Sequence, residues 1–169
     1  GYGVPQLTAI ADCARVGHAL GVPIIADGGV RTAGDFSKAL AAGASTVMLG
    51  SALAGTDESP GAAVIRGGRR YKLIRGMASL TANVDRKEIG QSKIVEDEEY
   101  SDIVPEGVEA VVPYRGEVTD ILHQFMGGLR SAMSYAGAKT LNEFWENSEF
   151  IRITAAGRAE SGVNDVDVL

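Results

Sequence analysis

Two glycine corners carry the residues best suited to chemistry. The first, Asp27-Gly28-Gly29, follows the apolar run Ile24-Ile25-Ala26; the second, Gly50-Ser51, follows Thr46-Val47-Met48-Leu49. Glycine lets backbone N–H groups come close to an anion, and the N-terminus of a following helix adds partial positive charge. Two successive corners of this kind can grip one phosphate from two sides. On spacing alone a second reading stands beside it, in which the glycines only make tight turns.

The elements around the corners read as a βαβ unit. Val22 to Ala26 is too short and too uniformly apolar for a helix, which predicts a strand buried on both faces as in a parallel sheet. Thr32 with Asp35 three residues on is the capping spacing of a helix start, Phe36, Ala39 and Leu40 recur at helical period, and Gly43 punctuates the end. Thr46 to Leu49 is the second buried strand. In α/β barrels and doubly wound sheets ligands bind outside the carboxyl ends of strands, and barrels often hold a phosphate after their last two.

Bulk properties exclude some partners. Among 169 residues, 16 basic side chains against 22 acidic ones give a net charge of −6, which argues against a nonspecific nucleic-acid or anionic-membrane binder. No apolar run approaches the length of a membrane span, and no signal peptide is visible. The single Cys13 rules out an internal disulfide and fits a reducing compartment, so a cytoplasmic protein is expected. The sequence opens in mid-motif at Gly1, and two clear strands cannot close a barrel of roughly 250 residues, so it reads as a fragment or as a chain whose beginning lies elsewhere.

Taken in order, Pro5 suits a first helical turn, and Leu7, Ile10, Ala11, Ala14 and Leu20 continue at helical spacing to Gly21. On this helix Cys13 reads as small and semi-buried, and His18 as structural. Ala52 to Gly55 predicts a short helix aimed at the same anion. Ala63 to Ile65 and Arg69 to Ile74 flank Gly67-Gly68, a hairpin turn. From Val84 to Asp102 the pattern dissolves into charged residues, as in a lid or a solvated insertion. Val108, Ala110 and Val112 alternate as a strand returning beside the hairpin. Gly116 precedes a long amphipathic helix with Val118, Ile121, Leu122, Phe125, Leu129 and Met133 on one face, and Gly127-Gly128 within it suits close packing. Met126 and Met133 read as core filler. Thr140 with Glu143 caps the next helix. Phe150 to Thr154 predicts a short strand, and Ala155 to Leu169 an extended polar tail.

Together GYGVPQLTAI, IADGGVRTAGDFSKALAAGASTVMLGSALAGTDESPG, YKLIRGMASL, VPEGVEAVVPYRGEV, GGLRSAMSYAGAKTLNEF and AESGVNDV resemble the C-terminal half of inosine-5′-monophosphate dehydrogenase. The related GMP reductase shares the barrel and the phosphate turns. The resemblance implies an α/β fold, the C-terminal part of a (β/α)8 barrel with an inserted mobile flap at about 78–103 and a cation-binding tail at about 155–169. It implies NAD-dependent oxidation of IMP to XMP through a thioimidate on a cysteine that precedes Gly1, of which Cys13 is not the counterpart. Asp27 matches the residue that binds the ribose hydroxyls. Gly28 belongs to the same corner, and Gly29, Gly50 and Ser51 match holders of the 5′-phosphate. Gly76 and Met77 fall in the segment whose methionine contacts the base, and Glu106 with Gly107 at the base edge. Glu160, Ser161 and Gly162 match a K+-ligating segment shared with a neighbouring subunit, which implies a homotetramer.

The sequence departs from the family pattern in three places. Ile74 stands where a tyrosine usually precedes Arg-Gly-Met, so it cannot donate to the phosphate, and Ala78 replaces a glycine. The flap lacks the Arg-Tyr pair that activates water in the dehydrogenase. Fixed-length counting sets Gly90 and Gln91 there; a short deletion sets Asp85-Arg86-Lys87 there and keeps Arg86 as the catalytic base. The alternatives are a GMP reductase, which deaminates GMP with NADPH and needs no such arginine, and a nucleotide-binding paralogue without turnover.

Overall fold

The computed structural model describes residues 2–76 and 109–162, and the flap lies outside them. The elements run α1 (Gln6–Leu20), β1 (Ile25–Asp27), α2 (Ala33–Ala41), β2 (Thr46–Met48), β3 (Ala63–Arg66), β4 (Arg69–Arg75), β5 (Glu109–Pro113), α3 (Val118–Tyr135), α4 (Leu141–Asn147) and α5 (Ala155–Glu160). The chain is α/β, and the described residues form no closed barrel: β1 and β2 make a parallel pair, and β3, β4 and β5 an antiparallel sheet in that order.

The local signals that set α1 and α2 are satisfied as their residues dictate. Pro5 precedes the first turn of α1, and Gly21 ends it in the left-handed region at φ 68°. Thr32 Oγ1 accepts from Asp35 N at 3.1 Å, and Asp35 Oδ2 accepts from Arg31 N at 3.2 Å, a reciprocal cap on α2. The same device recurs on α4, where Thr140 Oγ1 accepts from Glu143 N at 3.2 Å and Glu143 Oε2 from Lys139 N at 2.6 Å.

The core lies between the parallel pair and the helices. Ile10 of α1, Ala26 of β1, Ala39 of α2, and Ile121 and Phe125 of α3 bury together; a second cluster joins Leu40, Leu129 and Phe144. Phe36 packs against both clusters and meets Phe125 edge to face at 5.5 Å. Gly128 lets α3 close on α2, since a Cβ there would stand 2.5 Å from that of Ala33. Gly127 meets nothing and has no such role.

Several expectations are corrected. β1 and β2 are buried on one face only: Ala26 turns to the helices while Ile25 (57% exposed) and Met48 (51%) face outward, because no described element covers that side. Ala52 to Gly55 forms successive i→i+3 turns, not a helix; Leu53 N donates to Gly50 O and Thr56 N to Leu53 O. Phe150 to Thr154 is not a strand, as no described strand pairs with it. The tail from Ala155 is not wholly extended, for Thr154 Oγ1 accepts from Gly157 N at 3.0 Å and starts α5. Cys13 is exposed rather than semi-buried, and Leu122 and Met126 lie on the open side of α3, each 42% exposed. His18 is structural as expected: its Nε2 lies 3.0 Å from Gly43 O and its ring 4.2 Å from that of Trp145.

Candidate functional site

The register of the parallel pair fixes where the two corners stand. Asp27 lies opposite Met48, so Gly28-Gly29 and Gly50-Ser51 leave neighbouring strands at the same, carboxyl, end. Gly28 (φ 91°) and Gly29 (φ 76°) both occupy the left-handed region, which a side-chain-bearing residue enters only with strain. The Asp27 carboxylate is exposed and has no hydrogen bond or ion pair among the described residues. The Ser51 hydroxyl is likewise exposed and without a partner there. Exposed polar groups at a strand's carboxyl end, held by the fold yet bonded to nothing within it, are groups a ligand can take up.

The first corner is built locally. Gln6 Nε2 donates to Asp27 O at 2.7 Å, so α1 pins the end of β1, and the Gln6 side chain lies beneath Gly29. On the far side the capped start of α2 follows within five residues of Asp27. Partial burial pushes the Asp35 carboxyl up; the Arg31 N–H, the Arg31 guanidinium at 3.6 Å and Thr32 outweigh it and hold it below the ordinary aspartate value.

The second corner opens into a groove of about 1440 Å³. Gly50 and Ser51 line it together with Leu73, Ile74, Arg75 and Gly76 of the β4 end and Val111 of β5. Three expected site residues, Gly50, Ser51 and Gly76, therefore share one groove, while Asp27, Gly28 and Gly29 stand on the adjacent corner outside its lining. Ile74 lines it with an apolar side chain, so no hydroxyl comes from that position.

Residues not singled out in the sequence hold this second corner. Lys72 is buried, and its Nζ donates to the carbonyls of Thr56 (2.8 Å), Asp57 (3.1 Å) and Ser59. Arg115 Nη1 donates to Ala52 O at 3.1 Å, and Tyr114 Oη to Asp57 Oδ2 at 2.7 Å. That hydrogen bond, with the Asp57 charge, raises the Tyr114 pKa, and the Arg70 guanidinium covers the ring at 4.0 Å. Val118 N, at the start of α3, donates to Glu58 Oε2 at 2.9 Å. Gly55 and Gly61 permit the segment's close passage, for a Cβ would lie 2.3 Å from Pro113 O and 1.7 Å from Leu73 O respectively. The glycines in LAGTDESPG were a visible signal; the partners of Lys72 were not, since they lie 13–16 residues away in irregular backbone.

Met77, Arg86, Glu106 and Gly107 lie outside the described residues. Glu160, Ser161 and Gly162 fall together at the C-terminal end of α5, where Ser161 Oγ donates to Gly157 O at 2.8 Å. Gly157 O there also accepts from Ser161 N, and Ala159 O from Gly162 N, both at 3.1 Å. Among the described residues no group of three or more His, Cys, Asp or Glu can hold a metal ion, and no helix is long and apolar enough to cross a membrane.

Known proteins match this arrangement along its whole length. The family model for the IMP dehydrogenase / GMP reductase domain matches residues 1–164. An inosine-5′-monophosphate dehydrogenase of Nitrosopumilus maritimus (strain SCM1) is 56% identical over 166 residues, 98% of this chain and 35% of that relative. A GMP reductase of Leishmania donovani is 50% identical over 169 residues, 100% of this chain and 34% of its own. A crystal structure of GMP reductase from Trypanosoma brucei in complex with guanosine 5′-monophosphate shares the fold at a TM-score of 0.86 and 50% identity, covering 99% of this chain and 33% of that one. The chain thus spans about a third of the length of these relatives. With the match running across both glycine corners and the sheet that borders them, the chain belongs to the IMP dehydrogenase / GMP reductase family of enzymes.

Proposed function

We propose that this chain forms the phosphate and ribose side of a purine mononucleotide site in an enzyme that oxidises IMP to XMP with NAD. The observation that carries the reading is the parallel register of β1 and β2, with both glycine corners at one end of adjacent strands. In this reading the chain supplies the C-terminal part of a (β/α)8 barrel. Asp27 takes the ribose hydroxyls, Gly28, Gly29, Gly50 and Ser51 hold the 5′-phosphate, and Gly76, Met77, Glu106 and Gly107 meet the purine. NAD supplies the hydride acceptor. A cysteine thiolate adds to the purine, the hydride leaves, and water cleaves the resulting thioimidate; Cys13, exposed on α1, is not that thiolate. Arg86 serves as the base for the water. Glu160, Ser161 and Gly162 hold K+ with a neighbouring subunit of a homotetramer.

A second reading, NADPH-dependent reduction of GMP to IMP, is favoured by a specific feature: the flap sequence has no Arg-Tyr pair to activate water. The relatives named GMP reductase, one of them in complex with guanosine 5′-monophosphate, support it equally. Assays of the protein with IMP plus NAD+ and with GMP plus NADPH separate the readings. Turnover of IMP supports the first and turnover of GMP the second. Binding of IMP without either turnover leaves a paralogue that keeps the site alone. If the first holds, Arg86→Ala slows hydrolysis more than hydride transfer and accumulates covalent enzyme; a normal steady-state rate with no trapped intermediate contradicts the role of Arg86.

A further inference from the structure

Lys72 is 5% exposed, yet it has no acidic partner among the described residues. Three backbone carbonyls, of Thr56, Asp57 and Ser59, answer its charge instead. A desolvated ammonium group has three protons to satisfy and loses heavily if any is left bare. Here the acceptors are three convergent carbonyls of one short segment, so the charge of Lys72 fixes that segment's shape.

The segment is the one that leaves the second corner. Between Gly50 and Gly55 it contains only tight turns, with no helix to hold it. Its position comes from ties on two sides. The link from β5 to α3 provides one side, with Arg115 Nη1 on Ala52 O (3.1 Å), Arg115 N on Gly55 O (2.9 Å) and Asp57 N on Gly116 O (2.9 Å). Strand β4 provides the other, through Lys72. Four residues further along β4's path comes Gly76, which lines the same groove as Gly50 and Ser51.

We propose that Lys72 is a positioning residue for the mononucleotide site. Its ammonium group locks the segment after Gly50-Ser51 to β4 and so sets the distance between the phosphate corner and Gly76. The inference rests on the mononucleotide reading given above. An apolar side chain of the same length would fill the space but leave the three carbonyls unpaired, and the segment would shift to reach water. The phosphate corner would move with it, while α1, β1 and the first corner, held by Gln6 and Thr32, would not.

The test compares the parent protein with Lys72→Met and Lys72→Arg, titrated calorimetrically with IMP and GMP, with inosine as a competitor that lacks the phosphate. Lys72→Met raises the Kd of the mononucleotide the parent prefers about tenfold and leaves the inosine constant within twofold. Amide exchange quickens at residues 51–59 and stays unchanged in α1. A purely structural lysine would lower the midpoint of thermal unfolding and the active fraction without this phosphate-selective loss, and that result overturns the proposal. Should Lys72→Met fail to fold, Lys72→Arg decides. Its longer planar head displaces the segment, so a mononucleotide Kd raised at least threefold in a folded protein supports the clamp and an unchanged one overturns it. A parent that binds neither IMP nor GMP overturns the mononucleotide reading, and the clamp with it; a parent that binds, beside variants that bind equally well, overturns the clamp alone.

Discussion

The first glycine corner is held by the two helices that flank it in sequence, α1 and α2, whereas the second is held by β4 and by the link from β5 to α3, up to 63 residues away. Around Asp27-Gly28-Gly29 the supports are Gln6, from the helix just before, and the Thr32–Asp35 cap just after. Around Gly50-Ser51 they are Lys72 of β4 and Tyr114, Arg115 and Gly116 of the link from β5 to α3. A capped helix start can set one wall of an anion cradle locally. The opposite wall is fixed by the antiparallel sheet that borders the groove. Changes at the first corner should therefore be felt there and nowhere else, and changes at the second should propagate into the antiparallel sheet.

The sharpest contrast is steric. At Gly61 a Cβ would meet Leu73 O at 1.7 Å, backbone against backbone, so Gly61→Ala must displace β4. A loss of about 3 kcal/mol in urea unfolding is expected. At Gly28 the added Cβ meets nothing, and only the left-handed φ of 91° resists it; Gly28→Ala should lose about 1 kcal/mol. Equal losses at the two positions would erase the distinction. Next in size is Asp27→Ala. Its carboxylate supports no described contact, so thermal stability should hold while affinity for the mononucleotide falls at least tenfold, about 1.4 kcal/mol. Unchanged affinity in a calorimetric titration counts against the site. Thr32→Ala removes the hydrogen bond to Asp35 N and should destabilise by about 1 kcal/mol, with faster amide exchange confined to the first turn of α2. The smallest effect is on pH. Asp35 is held below the ordinary aspartate pKa of 3.8, so its contribution is present above that value and is lost as pH falls through the lowered one. Asp35→Asn should flatten the acid limb of stability below about pH 4; an unaltered limb would show that the cap carries no net charge effect.

The same division explains what could be read from the sequence. Thr32–Asp35 and Thr140–Glu143 announce their helices because each cap is complete within four residues. The hairpin at Gly67-Gly68 is equally local: Arg66 pairs with Arg69 across it. The Ala52–Gly55 stretch misleads because its apolar residues suit a helix, while Gly55 must pass under Pro113 O and Lys72 must find three carbonyls, both dictated from elsewhere. Phe150–Thr154 has strand-forming residues, but a strand exists only with a partner and none is described. α5 was hidden in a polar tail; the Thr154 cap was its one local sign. Of the candidate site, the two corners were legible as strand ends because Asp27-Gly28-Gly29 and Gly50-Ser51 each close a short apolar run. Lys72 and Arg115 were not, because a cation that ties down backbone is recognised by its acceptors, and carbonyl oxygens carry no sequence identity.

Whether the two corners hold one purine mononucleotide between them is decided by a crystal structure of the protein soaked with IMP. The 5′-phosphate is expected within hydrogen-bond reach of backbone N–H groups at both Gly29 and Gly50-Ser51, with the ribose hydroxyls on the Asp27 carboxylate. Phosphate bound away from the corners, for instance beside Arg31 and Arg115 in the cavity between α2 and α3, would contradict it.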